Sequence, residues 1–304
     1  MQAGGAIGRR NYSFLMRSDG QQPVKVAEWG VIYEDSRKPL VVDLGCGAGR
    51  YVLLMALRKG LRNNYLGVDV HKALLDRANG WAAARSLSSN VHFLQANAVA
   101  SASVLLGSYP GPIELVSIQY PDPQQRRQRH IVGRELVEAL ARVLRPGAHV
   151  YLASDFEDTS TYMRNAFEVY GNGRFRVDDV HTTQAVFPCG LPNTMLKARD
   201  VSSVGTSLKR ESLRARASGD ARDLGPPSVA SVGLCQGSSE DPVDSGQEGR
   251  AGDSGTDDEL LCFQGSWQQA GWLQDNPVGV PTEREVYVEK ATKGRVYRIL
   301  LVRS

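Results

Sequence analysis

From Leu40 to Val180, short apolar runs alternate with longer amphipathic segments. Six apolar runs are the predicted strands: Leu40–Leu44, Tyr65–Val70, Val91–Leu94, Ile113–Ile118, His149–Ser154 and Phe175–Val180. Four segments between them carry the helical period: Arg50–Lys59, Lys72–Leu87, Arg134–Leu144 and Thr159–Tyr170. Strand–helix–strand units at this spacing predict an α/β fold, with a parallel sheet and helical crossovers.

The pattern changes near residue 196. Residues 197–259 are rich in Ser, Gly, Asp and Arg and contain no aromatic residue. Such a segment cannot bury enough apolar surface to offset the entropy lost on ordering. Apolar runs then return, and Glu285–Val288 and Val296–Val302 are predicted to form two strands, for which a hairpin at the sheet edge is one arrangement. The predicted organisation is a partly disordered leader over 1–35, a core over 36–196, a disordered insertion over 197–262, and the rest of the core over 263–304.

Bulk composition narrows the function only a little. A chain of 304 residues fits one or two domains, and its net charge of +3 permits a nucleic-acid partner without requiring one. The four cysteines form no CxxC pair, and no His lies at zinc-ligand spacing from them. We therefore expect free thiols and no metal site. No apolar run is long enough to span a membrane, so we expect a soluble intracellular protein. Cytoplasm, nucleus and organelle all stay open.

The first candidate site is a glycine-rich turn that follows the first predicted strand. Gly45, Gly47 and Gly49 form a GxGxG pattern, and glycines let a backbone pass close to a ligand. The third glycine of the dinucleotide pattern GxGxxG would fall on Arg50, which argues against a nicotinamide cofactor. Asp43, just before the glycines, suits a cationic amino-acid ligand. A generic tight turn would produce the same local pattern.

Two polar positions follow the next two strands. Asp69 comes after the second strand, where a carboxylate can accept hydrogen bonds from both hydroxyls of a ribose. Asn97-Ala98 follows the third strand, where the amide either reads an adenine edge or belongs to a loop residue in a turn. Together with the glycine turn, these residues predict a nucleoside cofactor, and the glycine spacing favours S-adenosylmethionine over NAD.

The fourth strand ends in Gln119-Tyr120-Pro121-Asp122-Pro123. Reacting groups in open α/β sheets gather at such strand ends. The two prolines restrict the backbone on both sides of Asp122 and aim one carboxylate into the cleft. A proline-rich turn with a solvated Asp122 is the simpler alternative.

Further polar residues extend this candidate site. A basic loop with three arginines and a histidine follows directly and is suited to phosphate contacts: Arg126, Arg127, Arg129 and His130. Asp155 lies at the end of the fifth strand, and Thr282 and Glu285 open the returning segment with an acceptor and a donor. Plain helix capping or edge polarity would also account for Thr282 and Glu285.

With these residues in place, the chain resembles the tRNA (guanine-N7)-methyltransferase family, the TrmB-like enzymes. The resemblance covers about residues 40–170 and 276–303. It rests on DLGCGAGR from Asp43 to Arg50, YPDP from Tyr120 to Pro123, ASDFED from Ala153 to Asp158 and PTERE from Pro281 to Glu285. Compared with the family, the loop after PDP is shorter and the insertion over 197–259 is additional.

The resemblance implies a Rossmann-like class I methyltransferase fold: a mostly parallel seven-stranded sheet with an antiparallel edge strand and helices on both faces. It implies S-adenosylmethionine as cofactor, tRNA as substrate, and 7-methylguanosine at position 46 as product. The implied cofactor residues are Asp43, Gly45, Gly47, Asp69, His71, Asn97, Ala98 and Gln119. Asp122 is the implied catalytic residue, and the implied substrate residues are Arg126, Asp155, Thr282 and Glu285.

Other interpretations stay open at this stage. The chain could methylate a small molecule or a protein with the same cofactor, or it could be a non-catalytic relative that binds tRNA. A cysteine-dependent pyrimidine methyltransferase is disfavoured because no Cys lies beside Asp122. Some eukaryotic members of the family work with a β-propeller partner subunit, and the sequence leaves that need undecided.

Overall fold

A computed structural model describes residues 22–121, 131–190, 260 and 263–304. The strands are β1 (Leu40–Leu44), β2 (Asn64–Asp69), β3 (Val91–Gln95), β4 (Ile113–Gln119), β5 (His149–Ser154), β6 (Phe175–Val177), β7 (Val186–Phe187), β8 (Trp272–Leu273) and β9 (Tyr297–Arg303). The α-helices are α1 (Trp29–Ile32), α2 (Arg50–Lys59), α3 (Lys72–Ala84), α4 (Ala98–Gly107), α5 (Arg134–Val143), α6 (Glu157–Tyr170), α7 (Val180–Thr183) and α8 (Glu283–Val286). A 3₁₀ turn at Ser266–Ala270 and a π-helical turn at Tyr287–Ala291 complete the described elements.

One sheet joins all the described strands in the order β3-β2-β1-β4-β5-β9-β8-β7, and β6 also pairs with β9. Strands β1 to β5 are parallel, whereas β9 is antiparallel to both β5 and β6. The predicted α/β fold class is therefore confirmed. The predicted edge position of the antiparallel strand is wrong, because β9 lies inside the sheet. Its interior position agrees with the full burial of Ile299 and Leu301 and with the pairing of both of its backbone edges.

The sheet carries a core on each face. Side chains alternate along β1, where Leu40, Val42 and Leu44 belong to one core cluster and Val41 to the other. Helices α4, α5 and α6 pack on the first face, and α2 and α3 pack on the second. This two-sided burial explains why the parallel strands are mostly apolar, with their polar residues mainly towards the strand ends.

The predicted strand at Glu285–Val288 is wrong, because this segment is helical. Thr282 is the N-cap of α8, and its side chain accepts a hydrogen bond from the Glu285 backbone N–H at 3.0 Å. The Glu285 carboxylate in turn accepts from the Thr282 backbone N–H at 3.4 Å. This reciprocal pair is a capping box, and the spacing T-x-x-E in the sequence is its signature.

Helix α4 was not predicted from the sequence. Its residues, AVASASVLLG, are apolar or small on every side, and Leu105 and Leu106 are buried. A helix enclosed on most sides has no polar stripe, so its amphipathic period is weak. The Asn97 side chain begins it by accepting hydrogen bonds from the backbone N–H groups of Val99 and Ala100, at 3.0 and 3.4 Å.

The predicted leader and insertion are described only in part. Residues 22–35 of the leader include α1, and they contribute Val26, Trp29 and Tyr33 to the core. The insertion over 197–262 lies outside the described residues except for Leu260, which is buried. No helix in the described ranges is long and apolar enough to cross a membrane.

Candidate functional site

The candidate site lies at the edge of the sheet where the parallel strands end. The sheet pairing places Asp43 next to Gly67 of β2 and Ser117 of β4, and it places Asp69 next to Gln95 of β3. Because parallel strands end at one edge, their terminal side chains converge there. The structure thus brings the residues predicted on β1, β2 and β4 to a common edge.

Two glycines of the turn after β1 have positive φ, and the space around them differs. At Gly47 the backbone has φ +53°, and an added Cβ would meet no atom within 4 Å. At Gly49, with φ +73°, a Cβ would clash with the Phe93 ring and would lie 2.9 Å from Ala78 Cβ. Gly49 therefore allows α2 to start close against β3 and α3, and the space above Gly47 stays open to a ligand.

Asp69 is tied to this turn. One of its carboxylate oxygens accepts the Gly47 backbone N–H at 2.8 Å, and the other accepts the His71 backbone N–H at 3.1 Å and contacts His71 Nδ1. Burial alone would raise the pKa of Asp69, but the hydrogen bonds from His71 and Gly47 outweigh it and lower that pKa. Asp69 is thus a preorganised anion with both oxygens held in position.

Asp43 and Cys46 are buried beside the turn. Burial, reinforced by the charge of Asp69 and partly offset by the Gln119 amide, raises the pKa of Asp43 to about 7. Burial and the neighbouring carboxylates also raise the pKa of the Cys46 thiol well above its usual value, so it is not an activated thiolate. A cation placed here would stabilise the charged form of Asp43.

Gln119 and Tyr120 end β4. Both polar atoms of the Gln119 side chain are buried, and neither makes a hydrogen bond of ordinary geometry with the described residues, although the amide lies close enough to Asp43 to lower its pKa. Such orphaned groups are uncommon in proteins, and a bound polar ligand is one way to satisfy them. Tyr120 has φ +52°, a strained conformation for an aromatic residue, and its N–H donates to the Ala153 carbonyl at 2.8 Å. Sequence reasoning gave Tyr120 no role, since single residues do not reveal positive φ.

Asn97 and Ala98 lie after β3, as predicted. The Asn97 side-chain oxygen is occupied by the cap of α4, which leaves its amide N–H₂ for another acceptor. Ala98 is the first residue of that helix and is buried. Asn97 is thus a helix N-cap and not a plain loop residue, and its contact with adenine stays a prediction.

Two of the predicted site residues follow the end of β4 in the sequence. Asp122 and Arg126, together with the rest of the basic loop through His130, lie outside the described residues. The described chain stops at Pro121 and resumes at Ile131.

Asp155 and the start of α8 come together at the end of β5. The buried Asp155 carboxylate accepts from the Arg284 guanidinium at 2.5 Å, and Arg284 lies between Thr282 and Glu285 in the chain. This ion pair links the end of β5 to the returning segment. The sequence did not predict a role for Arg284.

Glu285 faces the interior. It is 1% exposed, and its carboxylate accepts from Arg298 at 2.7 Å and from the Asn276 amide at 2.9 and 3.1 Å. Arg298, which is also buried, donates further to the Gln274 carbonyl at 2.5 Å and contacts Glu289. Direct contact of Glu285 with a substrate would require some of these bonds to break. The sequence contained one signal for this buried pair, because Arg298 interrupts an apolar strand. Arginines are rarely buried without a partner, so an acidic partner could have been expected.

No group of three or more metal-ligating side chains occurs in the described part of the chain. Cys46 and Cys189 are free cysteines. Asp69 offers negative charge and Gln119 offers hydrogen-bonding groups at this end of the sheet.

Comparison with known proteins points in one direction. Residues 37–188 match the model of a family described as putative methyltransferase.

The chain is 37% identical over 155 residues to the tRNA (guanine-N(7)-)-methyltransferase of Synechococcus sp. (strain JA-3-3Ab), covering 50% of this chain and 64% of that protein. It is 33% identical over 175 residues to the enzyme of that name from Synechocystis sp. (strain ATCC 27184 / PCC 6803 / Kazusa), covering 57% and 81%. A third such enzyme, from Synechococcus elongatus (strain ATCC 33912 / PCC 7942 / FACHB-805), is 39% identical over 144 residues, covering 46% and 67%. The chain thus spans slightly less than two thirds of the first of these relatives.

Proposed function

This chain belongs to the tRNA (guanine-N7)-methyltransferase family, and on that premise we propose that it transfers a methyl group from S-adenosylmethionine to N7 of a guanine in tRNA. The observation that carries the proposal is the arrangement at the sheet edge. A preorganised Asp69 carboxylate and a buried Gln119 amide beside Asp43 accompany an open glycine turn. We place the target at position 46 in the variable loop, as the family resemblance implies.

The residues at this edge fit S-adenosylmethionine, which when bound supplies a methyl group on a positively charged sulfur. Asp69, which His71 holds in place, accepts hydrogen bonds from the ribose hydroxyls. The Asn97 N–H₂ donates to the adenine, and Ala98 packs beside it. The buried Gln119 amide forms hydrogen bonds with the amino-acid part of S-adenosylmethionine. The Asp43 carboxylate compensates the positive charge of the cofactor. Gly45 and Gly47 leave room for the backbone to approach the ligand, and this is supported by the open space over Gly47.

The chemistry required of the protein is modest. Guanine N7 carries a lone pair and no proton, so the enzyme needs no strong base. Catalysis depends on aligning N7 with the methyl group, and positioning of this kind can supply much of a rate enhancement. Asp122 accepts a hydrogen bond from the guanine and offsets the positive charge that develops on the base.

The remaining predicted residues hold the nucleotide. Asp155 and Thr282 position the guanosine, and Glu285 supports that contact from inside through the capping box with Thr282. The target base must leave its stacked position to reach the edge of the sheet. Arg126, with its neighbours in the basic loop, binds the flanking phosphates while the base is turned out.

The experiment is methyl transfer from labelled S-adenosylmethionine to an unmodified tRNA transcript, followed by digestion to nucleosides and chromatography. We expect 7-methylguanosine from the wild type and at least a hundredfold less from Asp122→Asn, on the scale of losing one electrostatic contact to a transition state. Asp179→Asn, a change at an exposed carboxylate on α7's N-terminal side, is the matched control and should act as the wild type.

Other outcomes of this experiment would change the substrate or the partner that we assign. Cofactor binding without any tRNA product, while a protein or small molecule is labelled, would replace tRNA as the substrate. Binding of tRNA without transfer by the isolated chain would contradict its independent activity. If a β-propeller subunit then restored transfer, it would establish that the partner is required.

A further inference from the structure

Two arginines face one tryptophan on the surface beside the cofactor edge. The Arg50 Cζ lies 5.5 Å from the Trp81 ring centroid, and the Arg77 Cζ lies 5.1 Å from it. Arg50 begins α2, whereas Arg77 and Trp81 are four residues apart on α3. Both arginines are exposed, and Trp81 is half-buried against the core. We refer to these three residues as the Arg–Trp–Arg cluster.

The cluster lies in a cationic stretch of the described chain. Residues 50–85 hold seven Lys and Arg against two Asp, a net charge of +5, whereas the whole chain has a net charge of +3. Of the two acids, Asp69 is turned to the glycine loop and Asp76 is bonded to Lys72 at 2.8 and 2.9 Å. Neither acid therefore neutralises the cluster directly.

The cluster also adjoins the predicted substrate residues. Arg50 follows Gly49 of the glycine turn, and its guanidinium contacts Glu283, the residue after Thr282. These two side chains are 51% and 67% exposed, so their attraction is weakened by water and salt. A phosphate can therefore replace Glu283 as the partner of Arg50 at little cost.

The side chains of the Arg–Trp–Arg cluster indicate which kind of molecule it binds. Guanidinium groups bind phosphates through paired hydrogen bonds, and an anion between two arginines relieves their mutual repulsion. The Trp81 ring contacts both guanidinium groups and so holds them on one surface. We propose that the Arg–Trp–Arg cluster binds phosphates of the tRNA backbone next to the target nucleotide. The identity of the RNA as tRNA rests on the proposed function.

The test is tRNA binding measured over a series of salt concentrations. Arg50→Gln/Arg77→Gln should weaken binding and reduce the slope of log affinity against log salt by about 1.4 to 1.8, the value for two lost phosphate contacts. Trp81→Leu, which keeps an apolar side chain against the core but removes the ring that both guanidinium groups contact, should weaken binding less than the double variant and leave that slope nearly unchanged, because both charges remain.

A charge-matched control removes two other exposed arginines. Arg142→Gln/Arg176→Gln takes the same charge from α5 and β6, where side chains 59% and 51% exposed pair with neighbours in sequence. This control should retain the wild-type slope. Affinity for S-adenosylmethionine, measured by calorimetry, should stay unchanged in every variant and shows that each one is folded.

Wild-type affinity and slope in Arg50→Gln/Arg77→Gln, or no tRNA binding by the wild type at any salt concentration, would overturn the proposal. An equal loss of slope in the control would also overturn it, because the effect would then be one of net charge. If the wild type binds tRNA with the expected variant effects but forms no 7-methylguanosine, the surface stands and the proposed reaction fails.

Discussion

Removing the Glu285 carboxylate should destabilise the fold strongly. The Glu285 and Arg298 side chains are each only 2% exposed and lie 2.7 Å apart, so Glu285→Ala leaves a buried guanidinium with less compensation. Breaking a buried pair from one side costs about 3–5 kcal/mol. Because Glu289 still contacts Arg298, we expect about 3 kcal/mol, at the lower end of that range. This corresponds to a fall in Tm of about 6 to 12 °C for a domain of this size.

Thermal and urea unfolding measure this effect, and an exposed ion pair provides the reference. Asp179→Ala breaks the pair between Arg176 and Asp179, whose side chains are 51% and 81% exposed, and should cost about 0–1 kcal/mol. Replacing both buried partners, with Glu285→Leu and Arg298→Met, should cost less than the sum of the single changes. If Glu285→Ala unfolds like Asp179→Ala but loses methyl transfer, Glu285 acts on the substrate, and the structural reasoning is refuted.

Three further predictions concern the cofactor edge. Asp69→Asn should weaken S-adenosylmethionine binding by about ten- to a hundredfold in calorimetry, the loss of a charged hydrogen-bond acceptor; unchanged affinity would remove Asp69 from the site. Gly49→Ala should destabilise more than Gly60→Ala, because both have positive φ but only the Gly49 Cβ would clash, with Phe93; equal costs would contradict this. The pKa of Asp43 is raised to about 7. Folding therefore takes up a proton at Asp43 between about pH 4 and 7, so the unfolding free energy of the wild type should fall relative to that of Asp43→Asn as pH rises through that window.

The parallel part of the fold was predictable because its pattern is local. Strand β1 and helix α2 begin and end where the apolar runs and the helical period place them. The glycine turn could be located because its spacing is a local signature. Confirmation of the fold class followed from these repeated strand–helix units.

The parts that were not predicted depend on distant contacts. The sheet position of β9 is set by pairing with both β5 and β6, which its own sequence does not encode. The buried pair of Glu285 and Arg298 joins a helix to a strand, and neither residue identifies its partner locally. The segment at Glu285 was misassigned because its apolar residues resemble a short strand, although the capping box marked a helix start.

Atom-specific methylation is the most direct test of the central claim. A tRNA that carries 7-deazaguanosine at position 46 has a carbon in place of N7 and is otherwise nearly unchanged. With labelled S-adenosylmethionine, the account predicts label in the ordinary transcript and none in the 7-deaza transcript. Equal labelling of both transcripts would contradict it, since the methyl group would then be going to another atom or another nucleotide.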